Sequence, residues 1–168
     1  MTHSIKKAAL SDWKIVFDIL SNCAEWLSQQ GMKHWQGAHT KERVMKRIRD
    51  KEVYILYENN LPVATITLSP IPPFYYGEDD KKFWKEKNAP AVHISGLAVL
   101  PNHQGRGLAT ELLNFAEEKA KDGNIGYIRF DAVSYYMQLN KFYLGRGYRI
   151  VGKRMTDNVA SNFFEKIL

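Results

Sequence analysis

Cysteine is almost missing from this 168-residue chain: Cys23 stands alone, which excludes an intramolecular disulfide and any metal site built on thiolates. Long apolar runs are missing too, since nothing approaches the roughly 18 residues of a membrane span. The opening MTHSIKKAALSDWK has no secretory apolar segment, so the expected location is cytoplasmic, with no membrane partner. There is no Gly-Lys-Ser/Thr triplet for a P-loop and no three-glycine dinucleotide turn. The five histidines include no i,i+4 pair and have no acid beside them in sequence, so no metal is expected.

What remains is the composition of an ordered protein. Apolar residues make up 45%, enough for one domain over residues 1–168 with a sizeable core. The net charge is +6 and the pI about 9.3. The basic residues are scattered rather than gathered in a block, so nucleic acid is not the expected partner; a polyanionic cofactor suffices.

The stretch AVHISGLAVLPNHQGRGLATELLNFAEEKAKDG organises the rest. Its β-branched run from Val92 to Leu100 predicts a buried strand, which Pro101 ends. From Leu108 onward, Leu108, Leu112, Phe115, Ala116 and Ala120 share one helical face, Glu117 and Lys121 form an i,i+4 pair on another, and Gly123 is the expected stop. Between strand and helix, the small residues of 104–110 let a phosphate approach the free N–H groups and positive dipole end of the first helical turn. Arg106 adds a full charge.

Leu97-Ala98-Val99 followed by Gln104-Gly105-Arg106-Gly107-Leu108-Ala109 resembles the acetyl-CoA-binding motif of the GNAT superfamily of N-acetyltransferases. The resemblance implies that main-chain groups of Leu97, Ala98 and Val99 meet the pantetheine arm, and that Gln104, Gly105, Arg106, Gly107, Leu108, Ala109 and Thr110 cradle the pyrophosphate of acetyl-CoA. Phe142-Tyr143 followed by Gly147-Tyr148 resembles the end of the family's last helix, which gives Tyr143 the part of general acid. Many members carry an asparagine seven residues before that tyrosine. Here the position is Tyr136, and Asn140, one turn later, is the substitute for a cofactor contact.

The remaining segments predict a strand over residues 5–9 and a helix begun by Ser11 and Asp12, with Trp13, Val16, Phe17, Leu20, Cys23, Ala24 and Leu27 as its apolar stripe. That spacing makes Cys23 a packed thiol, not an acyl-carrying nucleophile. A glycine-rich, aromatic loop follows around Trp35, then a second helix capped by Thr40. Residues 53–57 and 63–68 form a hairpin across a loop at 58–62. The insert over residues 74–89 carries Tyr75, Tyr76, Glu78, Asp79, Asp80 and Trp84, and reads as a wall facing a substrate. A strand over 125–133, with Ile128, Phe130 and Ala132 alternating against Tyr127, Arg129 and Asp131, a helix over 134–144 and two final strands over 148–154 and 162–168 complete the chain. The predicted fold is α/β: a mixed, mostly antiparallel central sheet with helices on both faces, as the resemblance also implies.

Amide formation from a thioester needs a neutral amine, a holder for the carbonyl oxygen and a proton for the leaving thiolate. Tyr143 would give that proton, and a main-chain N–H near Val99 would hold the oxygen. His93 is the candidate base, because some members place a glutamate four residues before the Leu97 position, and an imidazole titrates near neutral pH. The expected acceptor is a primary amine of a small molecule or peptide, drawn to Trp35, Tyr75, Tyr76 and the acids Glu78, Asp79 and Asp80. An acyl-CoA-binding module without turnover is the alternative, and the sequence leaves a homodimer open.

Overall fold

The computed structural model describes residues 1–168, which divide into two compact units, one of residues 1–68 with 96–116 and the other of residues 69–95 with 117–168. The seven strands are ordered β1-β2-β3-β4-β5-β7-β6. The pairs β1 with β2, β2 with β3, β5 with β7 and β6 with β7 are antiparallel, while β4 and β5 run parallel. Here β1 is His3–Lys7, β2 Glu52–Glu58, β3 Leu61–Ser69, β4 Val92–Val99, β5 Tyr127–Val133, β6 Arg149–Thr156 and β7 Val159–Ile167. This is the mixed, mostly antiparallel sheet that the sequence predicts. No helix is long and apolar enough to cross a membrane.

In the first unit, the stripe along α1 (Trp13–Gln29) buries Val16, Ile19, Leu20 and Cys23 with Val53 and Ile55 of β2 and Ala98 of β4. The helix α2 (Lys41–Asp50) adds Val44, and its N-terminus is closed by the Thr40 hydroxyl, which accepts the Arg43 N–H at 3.3 Å. The β2–β3 hairpin turns on Asn59 and Asn60, both at positive φ (49° and 67°). Asparagine tolerates that conformation, so the connection is a two-residue turn and tighter than the five-residue loop expected. The first strand lies two residues earlier than expected, at His3–Lys7, because its pairing with β2 runs from His3 opposite Glu58 to Lys7 opposite Tyr54.

The helix α3 (Leu108–Asp122) begins in the first unit and ends in the second. Its C-terminal residue in the left-handed region is Asn124 (φ 54°) rather than Gly123. The expected Glu117–Lys121 pair does not form: the Glu117 carboxylate takes Lys166 Nζ at 2.9 Å and the Tyr148 hydroxyl at 2.9 Å, partners that a more buried carboxylate holds better than an exposed lysine.

The second unit is an aromatic core. Phe130 of β5 lies 4.6 Å from Tyr143, 4.9 Å from Tyr148 and 5.2 Å from Phe164, centroid to centroid. Burial along β5 does not follow the alternation of Ile128, Phe130 and Ala132 against Tyr127, Arg129 and Asp131. Arg129 is buried with Glu165 at 2.8 Å, and its guanidinium also donates to the carbonyls of Glu86 and Ala89, which ties down the insert. The helix α4 (Met137–Gly145) starts three residues later than expected, and the β6–β7 hairpin turns on Asp157 and Asn158 at φ 47° and 63°.

Candidate functional site

The first unit supplies a turn of bare amides. After β4, residues Pro101–His103 make one 3-10 turn, and Gly105 and Gly107 then take left-handed φ of 73° and 83°. That conformation is cheap for glycine alone, and no heavy atom lies within 4 Å of where a Cβ would sit at either position. The first bond that closes the helix here runs from Glu111 N–H to the Gly107 carbonyl at 3.0 Å, and the N–H groups of residues 105–110 donate to no backbone carbonyl. Several unspent donors therefore meet the positive end of α3, over open space: a shape and charge that suit a phosphate.

Two side chains expected to face that phosphate are engaged elsewhere. Gln104 donates from Nε2 to the Val99 carbonyl at 3.2 Å, which also receives the Cys23 thiol at 3.2 Å. Arg106 is drawn to Glu58, at 2.8 Å, and does not stand as a free charge. Glu58 is the residue that sequence reasoning missed in this unit. Its carboxylate also meets His103 at 3.1 Å and His3 at 3.4 Å, while the other nitrogen of His3 lies 2.7 Å from Glu111. Burial works to raise the Glu58 carboxyl, yet Arg106, His3 and His103 together hold it below the usual carboxylate range. Nothing local signals this cluster, because its members come from β1, the end of β2, the 3-10 turn and α3. Leu97 is half-buried, Ala98 and Val99 are buried, and Gly96 before them sits at φ 56°, where a Cβ would run into the Arg47 guanidinium.

The second unit places Tyr143 on α4 with 6% of its surface exposed, its ring against Phe130 and Phe164. Burial, then the negative charge of Asp131 and the neighbouring Tyr136, push its phenol pKa up, so it keeps its proton at neutral pH. His93 is buried on β4, its ring 6.2 Å from Tyr76 and 6.3 Å from Trp84. Asn140 is no free ligand: its amide donates to the carbonyls of Val133 (2.9 Å) and Tyr136 (2.8 Å) and accepts from Asn162 (2.8 Å). A buried amide with four bonding positions is satisfied inside the core, and here it joins α4 to β5 and β7.

The acidic run of the insert is not one face. Residues Glu78–Phe83 form a 3-10 turn in which Glu78 pairs with Lys81 at 2.8 Å, while Asp80 is buried, accepting the Gly77 N–H at 2.7 Å and pairing with Arg154. Asp79 alone of the three faces water without an ion pair, so the expected concentration of negative charge is not assembled. Tyr75 and Tyr76 do come together, and both donate to Asp131. Sequence reasoning gave Asp131 no role, because the two tyrosines that meet it lie more than fifty positions away in the chain. Trp35 belongs to the first unit, 4.9 Å edge-on from His39.

The family model described as the acetyltransferase (GNAT) family matches residues 13–148. No curated protein matches the chain. Among solved structures, a GNAT acetyltransferase from Listeria monocytogenes superposes with a TM-score of 0.79 at 19% identity, over 99% of this chain and 95% of that one. The PaiA N-acetyltransferase from Thermoplasma acidophilum in complex with coenzyme A gives 0.76 at 17% identity, with both chains covered in full at 100%. A GNAT acetyltransferase from Elizabethkingia anophelis with acetyl-CoA bound gives 0.68 at 15%, over 99% and 98%. At such identities the likeness is one of fold.

Proposed function

Because the chain belongs to the GNAT family of acetyltransferases, we propose that it moves an acetyl group from acetyl-CoA directly to a primary amine of a small molecule or peptide. Acetyl-CoA supplies the activated acyl group. The observation that carries the reading is the turn over residues 104–110, whose backbone N–H groups from Gly105 onward are unspent and whose two left-handed glycines leave room for a pyrophosphate.

In this reading His93 takes a proton from the acceptor's ammonium, and the freed amine nitrogen forms a bond to the thioester carbonyl carbon. The carbonyl oxygen is held by a main-chain N–H near Val99. As the C–S bond breaks, its electron pair stays on sulfur, Tyr143 gives its phenolic proton to the thiolate, and the second proton lost from the amide nitrogen restores the phenol. Burial of Tyr143 supports the part of acid, because a phenol with a raised pKa arrives at this step protonated. Cys23 takes no part. Its thiol is buried and donates to the Val99 carbonyl, so no acyl-enzyme forms there.

Incubation with acetyl-CoA and a panel of primary amines tests the reading. The expected result is free CoA thiol released in step with an acetylated amine, each dependent on the amine. Tight acetyl-CoA binding with no thiol release across the panel would make the protein an acyl-CoA-binding module instead.

A further inference from the structure

The insert after β3 directs two tyrosines at one oxygen. The hydroxyls of Tyr76 and Tyr75 donate to Asp131 Oδ1 at 2.8 and 3.0 Å, and Oδ2 receives neither. Asp131, half-buried on β5, differs in this from the buried acids of the protein. Glu58 has Arg106 at 2.8 Å, Glu165 has Arg129 at 2.8 Å and Asp80 has Arg154, whereas no cationic side chain of the protein comes within 4.0 Å of Asp131. Arg154 acts on Asp131 only through its charge, and directs Nη1 to Asp80 and to the Tyr75 carbonyl. Burial outweighs the two hydroxyls and Arg154 and raises the Asp131 carboxyl above its ordinary range. A carboxylate drawn partly out of water with no ion pair of its own is costly, and such a group marks a place where a cation can be received.

The surroundings suit a small organic cation. Asp131 stands on β5 beyond the last residue pair with β4, His93 opposite Arg129, so the ladder on that side has already ended. The Tyr76 ring is bounded by Phe163 at 5.0 Å, Trp84 at 6.2 Å and His93 at 6.2 Å, and the Tyr75 side, 46% exposed, opens to water. A primary ammonium has three N–H donors. One reaches Oδ2, and the others meet lone pairs that the tyrosine hydroxyls keep while donating to Oδ1. Aromatic faces add cation–π attraction.

We propose that Asp131, with the hydroxyls of Tyr75 and Tyr76, is the seat of the acceptor's ammonium group, so that the enzyme selects amines that are cationic at neutral pH over amines that are not. The inference rests on the amine-acetyltransferase reading above and replaces the acidic run Glu78, Asp79 and Asp80 as the attractor. Asp131 holds the cation, and the proton that must leave before attack goes to His93, whose ring borders the same tyrosine.

The test compares an alkylamine with an arylamine that is neutral under assay. For Asp131→Asn, which keeps an acceptor for both hydroxyls, KM for the best alkylamine should rise at least about tenfold, as expected for losing one charge-assisted hydrogen bond. The same variant should shift kcat/KM for 4-methylaniline by less than about threefold, because no charge is lost there. Tyr75→Phe, a change at a half-exposed ring, should raise the alkylamine KM in the same direction, and acetyl-CoA affinity should hold in both variants. An unmoved alkylamine KM, or equal losses on both amines, overturns the proposal. If the unaltered protein releases thiol with no amine at all, the amine-acetyltransferase reading fails. Calorimetry with hexylammonium chloride then decides the site separately: binding lost in Asp131→Asn supports it, and equal or absent binding overturns it.

Discussion

Cys23 shows how far one environment can move one group. Between Val16, Leu20 and Ala98 its thiol is removed from water, and burial pushes its pKa up to about 12. At pH 8 the native protein should therefore resist iodoacetamide while the urea-unfolded chain is labelled, as mass spectrometry would read directly; fast labelling of the folded protein would contradict the packing described. A thiol assay of turnover then reports released CoA rather than the enzyme. The packed Cys23 was legible in the sequence because its warrant is helical spacing, which is local. Asp131 and Glu58 were not, because what makes each distinctive arrives from far along the chain: Tyr75 and Tyr76 are separated from Asp131 by more than fifty positions, and Arg106 from Glu58 by nearly as many. Strand alternation gave no sign that Arg129 is buried, its charge met inside by Glu165. A buried ion pair looks, from one strand, like a pair of surface charges.

Among the elements, the turn between β4 and α3 has the strictest demands. Gly107 sits at φ 83°, so a β-branched residue there is strained whatever room surrounds it, and its methyl groups would stand where a phosphate approaches. Gly107→Val should weaken acetyl-CoA binding by at least about tenfold while the circular dichroism spectrum stays that of a folded protein; unchanged affinity by calorimetry would reject the turn as the pyrophosphate site. This element was legible almost residue by residue, since glycines, a strand-ending proline and a helical face are all short-range signals. The hairpins were legible in kind but not in length. Asn59 with Asn60, and Asp157 with Asn158, make two-residue turns because asparagine and aspartate tolerate positive φ, a preference weaker than glycine's and easier to pass over. The engaged side chains of Gln104, Arg106 and Asn140 were beyond sequence pattern, which identifies a residue type without saying which neighbour has taken its hydrogen bonds.

Across the whole molecule, the order of helices and strands follows the reading of the sequence from end to end, and the structure adds that β4 and β5 are the parallel pair. The charge of +6, spread without a block of lysines, accords with the proposal that backbone amides hold a polyanionic acyl donor. In the proposed reaction this fold performs acetyl transfer with Tyr143 as the acid. Its most direct test is the rate of CoA thiol release at saturating acetyl-CoA and amine, measured for the unaltered protein and for Tyr143→Phe. Removal of the hydroxyl should lower kcat by about 10²- to 10⁴-fold, the range of general acid catalysis, with the acetyl-CoA dissociation constant nearly unchanged. Equal rates in the two proteins would contradict it.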